Sequence, residues 1–79
     1  MIALLVQATR HRSPRVRLHA HRLLRGTAER DVYLEATATL LEDPLPDVRM
    51  SAIRILAFAR YLPAVPVIVE LLSASHNGV

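Results

Sequence analysis

Apolar residues recur with a helical period in two segments of the chain. Val16, Ala20, Leu23 and Leu24 fall at i, i+4, i+7 and i+8, which places them on one stripe of a helix. Val48, Ala52, Ile55 and Leu56 repeat that pattern, and Ala59 extends it. Ser13 suits an N-cap, with Pro14 at the first helical position. Gly26 suits the end of this helix. Thr27 is placed to cap the next one, whose positive end Glu29 and Asp31 favour. Asp43-Pro44-Leu45-Pro46 forces a turn. The pattern predicts five helices, at 2–11, 14–25, 28–42, 46–61 and 63–74. Their short connections make successive helices antiparallel.

The two striped segments are copies of one another. Ser13-Pro14-Arg15-Val16-Arg17 aligns with Leu45-Pro46-Asp47-Val48-Arg49 at a spacing of 32 residues. Ala20 and Ala52, Arg22 and Arg54, Leu23 and Ile55, and Leu24 and Leu56 continue the match. Self-similarity at such a period is the mark of a helical repeat array. The chain is therefore expected to be all-α and to form one domain. That domain divides into repeat one (2–26), repeat two (28–61) and a half repeat (63–74).

Leu40-Leu41-Glu42-Asp43-Pro44-Leu45-Pro46-Asp47-Val48-Arg49, followed by Ala52 and Ile55-Leu56, resembles the HEAT-like repeat of the phycobilisome-lyase type. The resemblance covers nearly the whole chain. Leu71-Leu72 takes the place of Leu40-Leu41 in a third repeat, and Val79 takes the place of Val48, so the sequence stops where a third B helix would begin. The resemblance implies a short HEAT-like α-solenoid of about two and a half helical hairpins. It implies a right-handed superhelix, with A helices outside and B helices lining a concave face. It also implies a ladder of Asp and Arg along the turns, onto which Asp47, Arg49 and Arg17 map. Arg15 departs from that ladder, because it stands where Asp47 stands in the next repeat.

Charge sharpens this picture. All ten basic residues are arginine, and the net charge is +3. Residues 1–30 hold seven Arg and one acid, whereas residues 31–79 hold three Arg and six acids. A basic first repeat points toward phosphate or an acidic partner. The chain has no cysteine, which removes disulfides, thiol catalysis and Cys-based zinc sites and is compatible with the cytoplasmic setting expected. No apolar run approaches the ~20 residues of a membrane span. Arg10, His11 and Arg12 follow the first apolar run, the reverse of a secretory signal.

No catalytic constellation or cofactor motif is visible. His19 and His21 lie two residues apart and point to different sides of one helix, so they do not form a metal pair. Glu29, Asp31 and Glu35 look like first-turn and surface carboxylates. There is no Gly-rich phosphate loop. The chain is expected to be a non-enzyme that needs no cofactor.

Two surfaces remain as candidates. At 100° per residue, Leu18, His21, Arg22 and Arg25 lie opposite the core stripe of the first B helix, with Arg15 nearby. Met50, Ile53, Arg54 and Ala57 hold the matching places on the second, with Tyr61 beyond. The second surface is the last helix, where Glu70 is the one charge between Pro63 and Ala74. A helix apolar nearly all round is normally buried on several sides, so Val65, Ile68, Val69 and Leu72 form an assembly face. The expected partner is another protein or a second copy of the chain. The alternative is nucleic acid or phosphate at the Arg-rich repeat.

Overall fold

The computed structural model describes the backbone of residues 1–77 and the side chains of residues 1–73; Val79, matched above with Val48, lies outside them. The described chain is helical throughout: α1 (Ile2–Ala8), α2 (Pro14–Thr27), α3 (Arg30–Thr39), α4 (Pro46–Phe58) and α5 (Val65–Asn77). One 3-10 turn, Leu40–Glu42, tightens the end of α3, and another, Leu62–Ala64, leads into α5. The assembly is a flat slab of 41 × 26 × 14 Å. These features are those of a short helical solenoid, as the repeat implied.

Local chemistry explains most helix ends. Ser13 caps α2, its Oγ accepting from Val16 N at 3.5 Å, and Pro14 opens the helix. α1 stops earlier than expected, where the Thr9 hydroxyl bonds back to Val6 O at 2.6 Å. The expected boundary at Gly26 needs correction. α2 runs on through Thr27, whose hydroxyl donates to Leu23 O at 2.7 Å instead of capping α3. Glu29 takes the N-cap place of α3 without a side-chain bond, and Asp31 lies in the first turn.

The left-handed residue that closes a helix is Arg60, at φ 56°, after α4. Tyr61 N donates to Leu56 O at 3.0 Å and Arg60 N to Ala57 O at 3.1 Å, the paired bonds of a Schellman ending. Arg30 reaches across from α3 and donates to Ala59 O at 2.8 Å. That puts a cation at the negative end of α4.

The core lies between α3, α4 and the start of α5. Leu34, Leu40, Leu41, Val48, Ala52, Leu56 and Ala64 are buried there, with Ile55, Ala59, Ile68 and Leu71 packed against them. The two aligned stripes are not equally covered. Val48 is 6% exposed, whereas its counterpart Val16 is 36% exposed and Leu23 is also open to solvent. Ala20 and Leu24 carry the inward side of α2. The period placed Val16 and Leu23 on the core stripe, but they line a shallow apolar groove with Leu5 and Ala8.

Candidate functional site

One ion pair ties the first repeat to the second. Arg17 Nε donates to Asp43 Oδ1 at 2.6 Å and Arg17 Nη2 to Asp43 Oδ2 at 3.1 Å. Nη1 donates to the carbonyls of His11 and Arg12, at 2.9 and 3.0 Å. Asp43 Oδ2 also accepts from Leu45 N at 3.0 Å, so the carboxylate shapes its own turn. Both side chains are buried, and this forked arrangement uses the planar guanidinium fully. The expectation of Asp47 in this ladder is corrected here. Asp47 is an exposed first-turn acid of α4, and the carboxylate that meets arginine is Asp43.

Arg49 repeats half of this arrangement one period later. Its Nη1 donates to the carbonyls of Asp43 and Pro44, at 2.8 and 3.1 Å. Those residues stand 32 positions after His11 and Arg12. No carboxylate lies within 4.0 Å of Arg49 among the described residues. Its guanidinium instead lines an open groove of about 680 Å³ with Leu41, Glu42, Met50, Ile53 and Leu72.

The residues expected on the B-helix face do not share one environment. Arg15, Leu18, Arg22 and Arg25 of α2 are exposed. Arg15 borders the apolar groove beside Val16, whereas Arg25 faces Arg54 of α4 across a pocket also lined by Arg30, Tyr33 and Phe58. Met50 and Ile53 belong to the Arg49 groove. Ala57 is exposed, and Tyr61 packs against the core.

His21 is engaged within the fold. Its Nε2 lies 2.6 Å from the Thr37 hydroxyl, and its ring stacks on Tyr33 with centroids 4.8 Å apart. Thr37 spends its proton on Tyr33 O, at 2.8 Å, so Nε2 carries the hydrogen that closes the contact. Burial, seconded by the nearby Arg25 charge, lowers the His21 pKa from its ordinary value. The imidazole therefore acts as a neutral wedge between α2 and α3.

On α5, Val65, Val69 and Leu72 are exposed along one stripe at i, i+4 and i+7, and Val67 is open on the opposite flank of the helix. Ile68 borders that stripe on the core side and is half-buried with Leu71. Of the four residues named from sequence for the assembly face, Val65, Val69 and Leu72 are exposed and Ile68 is half-buried. Leu72 makes it continuous with the Arg49 groove. Among the described residues no group of three His, Cys, Asp or Glu could hold a metal, and no helix is long and apolar enough to cross a membrane.

Antiparallel helices stacked at a 32-residue period, joined by a buried Arg–Asp contact, define a helical-repeat solenoid. The model for HEAT repeats matches residues 2–79, and the chain belongs to that family. No curated protein and no solved structure matches it. HEAT repeats generally mediate protein–protein interaction and typically serve as non-catalytic scaffolds.

Proposed function

We propose that this chain is a non-catalytic interaction or assembly module, docking through the apolar stripe of α5 and the groove that continues it. The observation that carries this reading is the exposure of Val65, Val69 and Leu72 in one row. These side chains are about half exposed, so each forgoes roughly half of the ~1.5–3 kcal/mol that full burial gives, about 2–4 kcal/mol for the three together. That is a large share of the ~5–15 kcal/mol that holds a domain together. Contiguous apolar surface of this kind marks an interaction site. Glutamate at Val69 and Leu72 should abolish association while leaving the core intact, because both side chains point away from it. Sedimentation of the wild type and the Val69→Glu/Leu72→Glu variant tests the proposal.

A second reading, phosphate or nucleic-acid binding, draws on the pocket that Arg25, Arg30 and Arg54 line together with Tyr33 and with Phe58, which is 93% exposed. Arginine and an open aromatic ring are the components of a single-strand binding surface. Against it, Arg30 is already committed to Ala59 O. Affinity for an oligonucleotide that falls steeply with added salt would support this reading.

A further inference from the structure

We propose that the pocket between α2, α3 and α4 docks an acidic segment of a partner protein, with carboxylates on Arg25 and Arg54 flanking one large apolar side chain laid against Phe58. The proposal rests on the interaction role above and adds a surface separate from α5, with the chemistry of its partner.

The pocket holds about 480 Å³ and is built from the end of α2, the first turns of α3 and the end of α4. Leu71 and Leu72 of α5 lie at the other end of α4, in the groove with Pro46. Apolar groups, Leu34, Ile55 and Ala59, line it together with Arg25, Arg30 and Arg54. None of the seven Asp and Glu residues lines it, although Glu29 and Asp31 flank Arg30 in the chain. Among the described residues no carboxylate lies within 4.0 Å of any of these arginines. Arg30 is held by Ala59 O at 2.8 Å, which leaves Arg25 and Arg54 as the cations open to a ligand.

Phe58 makes this more than a basic patch. It is 93% exposed and sits one turn after Arg54 and Ile55, on the same face of α4. A lone exposed apolar residue is ordinary. An exposed aromatic ring among arginines, over an apolar floor, has the composition of an interface centre. The feature is also not a product of the repeat. Gly26 stands 32 residues before Phe58, and Ala57 stands 32 residues after Arg25.

Charge complementarity selects the occupant. Two open cations beside a single apolar concavity suit a short peptide with one anchor side chain and neighbouring carboxylates. A nucleic-acid strand needs a basic groove that follows its backbone. Arg15 and Arg22, the other exposed arginines of α2 near its core stripe, do not line this pocket.

The test uses the full chain and a short fluorescein-labelled peptide with one phenylalanine between paired glutamates, followed by anisotropy. Saturable binding is expected, weakened about tenfold by Arg54→Gln and by Phe58→Ala, and weakened similarly by glutamine for glutamate in the peptide. Both chain positions are exposed, so circular dichroism should not change. Arg10→Gln, which removes an exposed arginine outside the pocket, should leave the affinity unaltered. Absence of saturable binding up to about 1 mM overturns the proposal, as does equal weakening by Arg10→Gln and Arg54→Gln. An oligothymidine that binds more tightly through Arg54 and Phe58 assigns the pocket to nucleic acid instead. Self-association abolished by Arg54→Gln assigns it to a second copy and overturns the proposal as well. Peptide binding by a chain that never self-associates upholds the pocket while the α5 reading falls; self-association through α5 without peptide binding does the reverse.

Discussion

Arg17 and Asp43, 26 residues apart, form a forked ion pair with both side chains almost out of solvent. Every nitrogen of the guanidinium and both carboxylate oxygens find partners. Removing one member strands the other in a dry interface. Arg17→Ala or Asp43→Ala is expected to cost about 3–5 kcal/mol. Asp47→Ala, at an exposed helix start, should cost no more than about 1 kcal/mol. Urea melts of the three variants check this, and an Asp47 effect as large as that of Asp43 would return the ladder to Asp47.

The packed stripes should dominate stability elsewhere. Leu24 and Leu56 are fully buried, at 0% and 1% exposure. Replacing either with alanine should cost roughly 2–5 kcal/mol. Arg22 is exposed and hydrogen-bonds to nothing among the described residues, so Arg22→Ala should cost less than about 0.5 kcal/mol. Denaturant midpoints measured at constant slope would show it.

How much of this the sequence disclosed depends on the range of the interaction. The cap at Ser13 and the stripe of Val48, Ala52 and Leu56 are local patterns, and period and residue type reveal them. The Arg17–Asp43 pair is not local. The internal repeat could not reveal it either, because His11 stands where Asp43 would align, so no second example of the pair exists in the chain. Asp43 accordingly reads as a turn residue, and Asp47, beside Val48, attracts the assignment. His21 is a similar case. A helical wheel puts it opposite the core stripe, but α3 supplies Tyr33 and Thr37 on that side. Wheels describe one helix and carry no knowledge of its neighbour.

Arg60 is a departure from propensity that can be relieved. A non-glycine residue at φ 56° carries strain of about 1–2 kcal/mol. Glycine removes it, at an entropic cost of about 0.5–1 kcal/mol. Arg60→Gly should therefore raise stability by up to about 1 kcal/mol and leave the circular dichroism spectrum unchanged. A lowered thermal midpoint would show that the Arg60 side chain makes a stabilising contact.

His21 should make stability depend on pH. Its pKa is depressed in the folded chain below 6.5, first by burial and then by Arg25. Between the folded value and 6.5 the unfolded chain binds more protons than the native one. Its contribution is thus fully present above 6.5 and is lost as pH falls from there through the folded value. His21→Gln, which can still donate to Thr37, should flatten the stability profile in that window. An unchanged slope would assign the pH dependence to other groups.

The central claim is that the exposed row on α5 is a docking surface, and the mass of the chain in solution tests it most directly. Without a partner, Val65, Val69 and Leu72 have one another's copies to bury against. Sedimentation across concentrations up to hundreds of micromolar should show mass rising above the 8.8 kDa monomer. Val69→Glu/Leu72→Glu should restore the monomer with its helical spectrum intact, because neither side chain belongs to the core. A wild type that stays monodisperse and monomeric over the whole range, with no difference from the variant, would contradict the account.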